Sequence, residues 1–238
     1  MPNSPLGVDL GRLSGPNQHL SAAGATPRHC ADVSRAENEP LAGTAPSETG
    51  YLFVEHPGAW AAKAFEASRL PERVRDRVAA LPDLRGQLLR RPDRRRPARL
   101  MAFAAWFGSG QRWVRVTELA GYAELESIDL DALAAGTPPT GWAELTKPTW
   151  LVCTNAARDV CCARYGRGVY AALNDRWPDQ TWETSHLGGH RFAGTLAALP
   201  SGTVLGRIDH SNAVGACEAL LAGGPPESLV RGRLGQRP

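Results

Sequence analysis

The sequence predicts an α/β fold, and the alternation of two kinds of segment carries this prediction. Short runs rich in β-branched and aromatic residues, such as 51–56 and 149–153, have the composition of buried strands. Ala-rich stretches between Pro and Gly breaks have the composition of helices. With 238 residues and an apolar fraction of 42%, the chain can form one large domain or two small ones around a sizeable core.

The first half of the chain is expected to follow a tail. Residues 1–28 mix Pro, Gly, Ser, Asn and Ala without periodicity, and they are predicted to form a disordered tail. The N-terminal α/β half, 29–119, contains an alternating run at 113–116 that is typical of a strand with one exposed face. The elements predicted in this half are a strand at 51–56, helices at 59–68 and 71–81, and strands at 86–90, 99–106 and 112–119.

The second half repeats this order. Residues 120–148 are acidic and interrupted by Pro and Gly, and they are predicted to link the halves. The elements predicted in the C-terminal half, 149–238, are a strand at 149–153, a helix at 162–174, strands at 181–184, 192–199 and 203–208, and a helix at 212–221. A strand–helix–strand unit followed by a hairpin is typical of a thioredoxin-like mixed sheet with flanking helices, so we expect two such halves packed together.

Charge and hydropathy exclude some classes of partner. The formal net charge is only +3, which gives no global reason to expect nucleic acid or membrane as a partner. The most apolar stretch, 100–107, is far shorter than the roughly 20 residues of a membrane helix. The N-terminal residues have no basic and apolar regions of a secretory signal, so we expect a cytoplasmic protein.

An arginine-rich loop interrupts the first half. It runs from Arg90 to Arg99 and contains six arginines and one acidic residue, Asp93. Such a charge run usually faces solvent, and that is one interpretation of this loop. The other is a docking patch for an acidic redox partner protein. Nucleic acid is a weaker alternative because no aromatic or Gly-rich recognition motif accompanies the arginines.

The candidate metal ligands are two cysteines and two histidines of the second half. Cys153 and Cys162 are nine positions apart, and His186 and His190 are four apart. Two thiolates and two imidazoles suit a soft or borderline metal centre, and clustered cysteines in a reducing compartment more often bind metal than form structural disulfides. Gly188 and Gly189 lie between the histidines, which argues against a helix there.

Neighbouring residues are candidates for supporting roles. Arg158 is placed to donate hydrogen bonds to the sulfur atoms of the centre, or else to form a local ion pair with Asp159. Gly188 and Gly189 allow tight turns and close approach of the backbone to a bound centre. The remaining cysteines are predicted to have mainly structural roles: Cys30, Cys161 and Cys217.

Four functions compete at this stage: a protein with a binuclear cluster, a structural zinc module, a thiol-dependent oxidoreductase and a glycoside hydrolase. The C-x8-C spacing is wider than the usual C-x2–4-C of a zinc site, which favours a binuclear cluster over a structural Cys2His2 zinc module. A thiol-dependent oxidoreductase of thioredoxin-like fold would use Cys161 and Cys162, but the chain has no C-x-x-C motif. A glycoside hydrolase needs two carboxylates across a sugar site, and no distinctive pair is present.

Several segments together resemble one family. They are CTNAARDVCCARYGRGVY, HLGGHRFAGTLAALPSG and GRI in the second half, and PLAGTAP and LFVEHPGAW in the first. These segments resemble the sucrase/ferredoxin-like family of thioredoxin-like 2Fe–2S ferredoxins.

The resemblance implies a 2Fe–2S cluster, with its ligands at Cys153, Cys162, His186 and His190. It implies a one-electron carrier rather than an enzyme, working with a redox partner protein, and the sequence gives no support for sucrase activity. Histidine ligation raises the reduction potential from about −400 mV toward the Rieske range of roughly −150 to +300 mV. It is also expected to make that potential depend on pH.

Overall fold

The computed structural model describes residues 29–93 and 97–236, and within these ranges ten strands form one mixed sheet. The tail predicted at 1–28 lies outside the described residues. The strands are β1 (Gly50–Glu55), β2 (Leu84–Arg90), β3 (Leu100–Trp106), β4 (Trp113–Leu119), β5 (Ala143–Glu144), β6 (Thr149–Cys153), β7 (Thr181–Thr184), β8 (Leu196–Leu199), β9 (Thr203–Leu205) and β10 (Val230–Arg233). The α-helices are α1 (Cys30–Ala36), α2 (Glu72–Ala80), α3 (Leu130–Ala134), α4 (Val160–Arg176) and α5 (Ala213–Leu221). Short 3-10 helices occupy Tyr122–Ser127, His190–Phe192 and Glu227–Leu229.

The strand order shows the same topology in both halves. The order across the sheet is β10-β9-β8-β6-β7-β2-β1-β3-β4-β5. β1 pairs parallel with β2 and antiparallel with β3, which pairs with β4. β6 pairs parallel with β7 and antiparallel with β8, which pairs with β9. The predicted α/β fold with a thioredoxin-like mixed sheet and flanking helices is therefore confirmed, and the halves meet where β2 pairs antiparallel with β7.

The core lies on both faces of this sheet. On one face, α2 packs over the first half, and α4 and α5 pack over the second. On the other face the side chains of the two halves meet each other directly, for example Phe103 against Trp182 with ring centroids 6.0 Å apart. Because both faces are covered, every residue of β1 and β6 is buried.

The helix predicted at 59–68 is wrong, and the segment consists of turns and bends instead. Its apolar side chains are drawn onto the sheet by tertiary contacts. Phe65 packs directly over Gly86 of β2, where a Cβ atom would lie 2.5 Å from the ring. A regular helix is therefore replaced by an irregular segment that follows the surface of β2.

The acidic stretch 120–148, predicted as a linker, contains a 3-10 helix, α3 and β5. Leu125 and Leu133 are fully buried in the core under α2. β5 pairs with β4 at the edge of the sheet, so this stretch packs as part of the first half. Among the residues that the structure describes, no helix combines the length and apolarity needed to cross a membrane.

A buried histidine follows β1. The His56 side chain accepts a hydrogen bond from the Arg69 backbone N–H at 3.3 Å and stacks on Tyr122, with ring centroids 5.7 Å apart. Its Nδ1 atom is buried and has no hydrogen-bond partner among the described residues. Burial lowers the pKa of His56, and the nearby charge of Arg69 lowers it further. The folded state therefore holds this imidazole neutral.

Acidification should destabilise the fold through His56. The unfolded chain binds a proton at His56 before the folded one does, so stability is retained above the unfolded pKa of about 6.5 and lost as pH falls below it. We expect the free energy of unfolding to decrease between about pH 7.5 and about pH 5.5, by at most about 1.4 kcal/mol per pH unit for this group. His56→Gln should flatten this slope in urea titrations, whereas His210→Gln, at an exposed position, should keep it. Equal slopes in both variants would contradict this assignment.

Candidate metal centre

Cys153 and Cys162 meet because α4 lies unusually close to β6. Cys153 ends β6, and Cys162 lies in the first turn of α4. Gly166 is one helical turn beyond Cys162 on the same face. A Cβ atom at Gly166 would lie 2.1 Å from the carbonyl oxygen of Cys153, so only glycine allows this approach. The same contact brings the two thiols together.

The loop between the cysteines is fixed at both ends. Asp159 caps α4, and its carboxylate accepts a hydrogen bond from the Cys161 backbone N–H at 2.8 Å. Asn155 is buried and donates to the carbonyl oxygen of Ala61 in the first half at 3.1 Å. Cys162 therefore starts a helix whose position is set by a capping carboxylate and by a contact between the halves.

Residues 185–190, which contain both histidines and are called the histidine loop below, follow β7 and are held by side chains of β2. The carbonyl oxygen of His186 accepts hydrogen bonds from Arg85 at 2.7 Å and from Gln87 at 3.1 Å. Gly188 and Gly189 have φ angles of +83° and +65°, which other residues rarely adopt. The prediction that no helix joins the two histidines is confirmed.

The structure brings three of the four predicted ligands together. The Sγ atoms of Cys153 and Cys162 and a ring nitrogen of His186 all lie within 4.8 Å of one another. His186 Nδ1 is 3.4 Å from Cys162 Sγ and 4.0 Å from Cys153 Sγ. His190 stands beside this group: its ring centroid is 5.9 Å from that of His186.

His190 faces Asp159. Its Nε2 atom is 3.7 Å from a carboxylate oxygen of Asp159, and 43% of its side chain is exposed. Asp159 thus contacts His190 and the backbone of α4, and it is not paired with Arg158 as one interpretation of the sequence proposed. Arg158 is exposed and lines a groove of about 440 Å³ together with Ser185 and His186.

The pKa values of the two thiols of the site are shifted in opposite directions. A hydrogen bond from Cys162 lowers the pKa of Cys153 well below its usual value, and contacts with His186 and the Leu187 backbone N–H lower it further, although burial opposes them. The same hydrogen bond raises the pKa of Cys162, and burial adds to the increase. Cys153 is therefore the thiol most readily deprotonated for metal binding.

The described residues fit the donor chemistry of an iron–sulfur cluster. Two thiols and an imidazole converge, and a second imidazole lies next to them. These are the donor types that cysteine- and histidine-ligated clusters use. A single zinc ion can use the same donor types, so the convergence marks a candidate Cys/His metal site that fits either group.

Arg231 was not predicted from the sequence, yet it supports the histidine loop. It is 1% exposed, donates to the Gly188 carbonyl oxygen at 3.0 Å and contacts Thr44 through both its Nε and Nη2 atoms. Burial lowers its pKa to about 10, and the nearby Cys153 partly offsets this effect. The guanidinium therefore stays charged at neutral pH, buried behind the loop. A Cβ at Gly189 would lie 2.4 Å from its Nη2 atom, which explains the second glycine.

The protein has an α/β fold with a thioredoxin-like mixed sheet, in which the two halves repeat the same strand order, and its second half contains a candidate Cys/His metal site. A family model described as Sucrase/ferredoxin-like matches residues 41–232. Because the match covers most of the chain, the protein belongs to the sucrase/ferredoxin-like family.

Two solved structures illustrate the similarity at the level of structure. The thioredoxin-like [2Fe-2S] ferredoxin from Aquifex aeolicus matches with a TM-score of 0.34 and 20% identity, over 38% of this chain and 94% of that one. A cysteine-to-serine variant of the same ferredoxin matches with a TM-score of 0.33 and 19% identity, over 37% of this chain and 100% of that one. A search of curated proteins gave no significant match.

Removal of the Arg231 charge should loosen the histidine loop. Arg231→Met leaves the Gly188 and Thr44 carbonyl oxygens without their buried donor. We expect the free energy of unfolding to fall by about 2–3 kcal/mol, the usual scale for lost hydrogen bonds to a buried charged group. The matched control is Arg233→Met, an exposed position on the same strand, which should change stability by about 0.5 kcal/mol or less. Urea unfolding of both variants measures this difference, and similar losses in the two would contradict a role for Arg231.

Proposed function

We propose that this protein carries a 2Fe–2S cluster on Cys153, Cys162, His186 and His190 and serves as a one-electron carrier. The observation that carries the proposal is the convergence of both thiols and the His186 imidazole within 4.8 Å, from two loops separated in sequence. Membership of the sucrase/ferredoxin-like family supports the choice of cluster. When bound, such a cluster supplies one-electron oxidation and reduction.

The residues around the site have distinct tasks in this proposal. Cys153 and Cys162 supply the buried thiolate side, and the histidines supply neutral donors, which raise the potential relative to four thiolates. The histidine side of the site, where His190 is 43% exposed and His186 lines a groove, is the proposed exit for electrons, because both cysteines are buried. The dependence of the potential on pH, expected from histidine ligation, stays a prediction.

The geometry argues against a thiol-dependent oxidoreductase that uses Cys161 and Cys162. Cys161 and Cys162 are adjacent in α4, but their sulfur atoms have different neighbours. Cys162 Sγ lies near His186, whereas Cys161 Sγ lies 3.3 Å from Cys30 Sγ. A reactive pair made of Cys161 and Cys162 would require both side chains to turn. A structural zinc module uses the same donor types and is separated from the cluster by metal analysis.

Metal content and colour should follow the two cysteines. We expect the purified protein to be red-brown, to lose this absorption with dithionite, and to contain two iron and two acid-labile sulfide atoms per chain. Cys153→Ala and Cys162→Ala should lose most of the iron, because each removes a thiolate ligand. Cys217→Ala, at a buried position of α5, should retain it. A colourless protein with one zinc ion per chain would contradict the proposal and assign the zinc module instead.

Two surfaces are candidates for docking of a redox partner: the arginine-rich loop from Arg90 to Arg99 and a groove beside His186. The two ends of β2 show which is nearer to the histidines. Arg90, at the end of β2, pairs with Glu183 at 2.5 Å, whereas Arg85, near its start, donates to the carbonyl oxygen of His186. Arg85 and Arg90 are five residues apart along β2, which corresponds to about 17 Å, so Arg90 lies at the end of the strand away from the candidate site. Docking on the Arg90–Arg99 loop stays a prediction. The groove lined by His186, Arg85 and Arg158 is nearer, and we propose it as the entry for an acidic partner.

Charge reversal should distinguish these surfaces. The dithionite-reduced protein is mixed with ferricyanide, a small anionic oxidant, at low salt. Arg158→Glu should slow the reaction about three-fold or more, because it removes electrostatic attraction beside His186. Arg99→Glu, on the basic loop, is the matched control and should change the rate less. The reverse order of effects would favour the loop as the docking surface.

A further inference from the structure

A second pair of thiols lies between the first turn of α4 and the start of α1, and the proposed electron carrier does not use it. Consecutive residues of a helix point in different directions, so Cys161 cannot join Cys162 at the metal centre. Its Sγ atom lies 3.3 Å from that of Cys30, the first residue of α1, 131 positions away in sequence. Cys161 is 1% exposed, whereas Cys30 is half-buried.

We propose that Cys30 and Cys161 form a reversible disulfide that fastens α1 to α4 next to the His190 turn. The inference rests on the position of these two thiols and is independent of the proposed function. A disulfide bond of about 2.05 Å requires the sulfur atoms to approach by only about 1.2 Å. Both side chains rotate about a single bond to the backbone, and Cys30 lies at the start of a helix, where such a movement is least restricted.

The donor set favours a disulfide over a shared metal ion. Among the described residues this group offers three potential donors, Cys30, Cys161 and Asp159, whereas a structural zinc site has four. Asp159 is the third potential donor of the group, but its Oδ1 atom already accepts the Cys161 backbone N–H. That oxygen is 4.0 Å from Cys30 Sγ.

The oxidant is a small disulfide such as glutathione disulfide. The thiolate of Cys30, the more exposed partner, attacks one sulfur of the small disulfide, and one glutathione leaves as a thiolate. Cys161 then gives its proton to that thiolate or to water, and its sulfur attacks the Cys30 sulfur. The mixed disulfide breaks, and the second glutathione leaves. Two protein thiols are oxidised, and one glutathione disulfide is reduced to two thiols.

The disulfide would add a covalent bond to the hydrogen bonds that already hold α1 against α4 and the His190–Phe192 turn. α1 is held against the His190–Phe192 turn by Arg35, which donates to the carbonyl oxygen of Ala193 at 2.7 Å. The Tyr165 hydroxyl of α4 also donates to Asp32 of α1. α1 therefore already bridges the helix that carries Cys162 and the turn that begins with His190. A covalent link would fix this bridge under oxidising conditions.

The test equilibrates the purified protein, with its metal centre as isolated, in anaerobic glutathione buffers of increasing disulfide fraction. Free thiols are then alkylated, and the digested protein is examined by mass spectrometry. We expect one cross-linked pair of peptides containing Cys30 and Cys161, lighter by two hydrogens and separated again by dithiothreitol. The oxidised protein should melt about 5 °C or more above the reduced one, because the link restricts the unfolded chain.

Two variants make the outcome decisive. Cys30→Ser should abolish the cross-link and the shift in melting temperature while leaving the far-UV circular dichroism unchanged. Cys217→Ser should retain both. Alkylation of both thiols at every buffer ratio, glutathione retained on Cys30 without a cross-link, or a cross-link from Cys161 to Cys153 or Cys162 would overturn the proposal. A zinc ion bound by the wild type and lost in Cys30→Ser would also overturn it.

Discussion

The pairing of β2 with β7 joins the two halves into one sheet, and the arrangement of the candidate metal site depends on it. The register places Leu89 opposite Thr184 and Arg90 opposite Glu183. Beyond the last paired residues, Ser185 continues the contact, because its backbone N–H donates to the Leu88 carbonyl oxygen at 2.9 Å. The next residue is His186. The first half therefore determines where the histidine loop begins, although none of the four proposed ligands lies in it.

Buried polar groups extend this control from the sheet to the loop. The Ser185 hydroxyl donates to Gln87 at 2.6 Å, and Gln87 in turn donates to the carbonyl oxygen of His186. Arg231 holds the other end of the loop at Gly188. A buried network of this kind is costly when it is only partly satisfied, which gives the loop a single position. Pre-positioning of this kind suits an electron carrier, in which the ligands should move little between the two oxidation states.

The approach of Cys153, Cys162 and His186 to one another could be anticipated from the sequence, because residue type and spacing mark them as candidate metal ligands. Cys153 and Cys162 form one spaced pair in the second half, His186 and His190 form another, and the glycines between the histidines argue against a helix there. The orientation of His190 toward Asp159 was not predictable, since it depends on where the cap of α4 lies in the folded chain. The strands and α2 were largely predictable because apolar periodicity decides them.

Other features depend on tertiary contacts that leave no mark in local sequence. Arg231 is one of many arginines, and only the fold shows that it is buried behind the histidine loop. The segment 59–68 has helical composition, but the packing of Phe65 on Gly86 gives it an irregular path. Cys30 and Cys161 are too far apart in sequence for their contact to be expected.

The central claim is that histidines and cysteines from two loops ligate one cluster. The most direct test is pulsed electron paramagnetic resonance of the dithionite-reduced protein, which compares a sample expressed with ¹⁵N-histidine with an unlabelled sample. The account predicts strong couplings from two histidine nitrogens that change with the isotope. A reduced cluster whose spectrum shows no histidine coupling would contradict it.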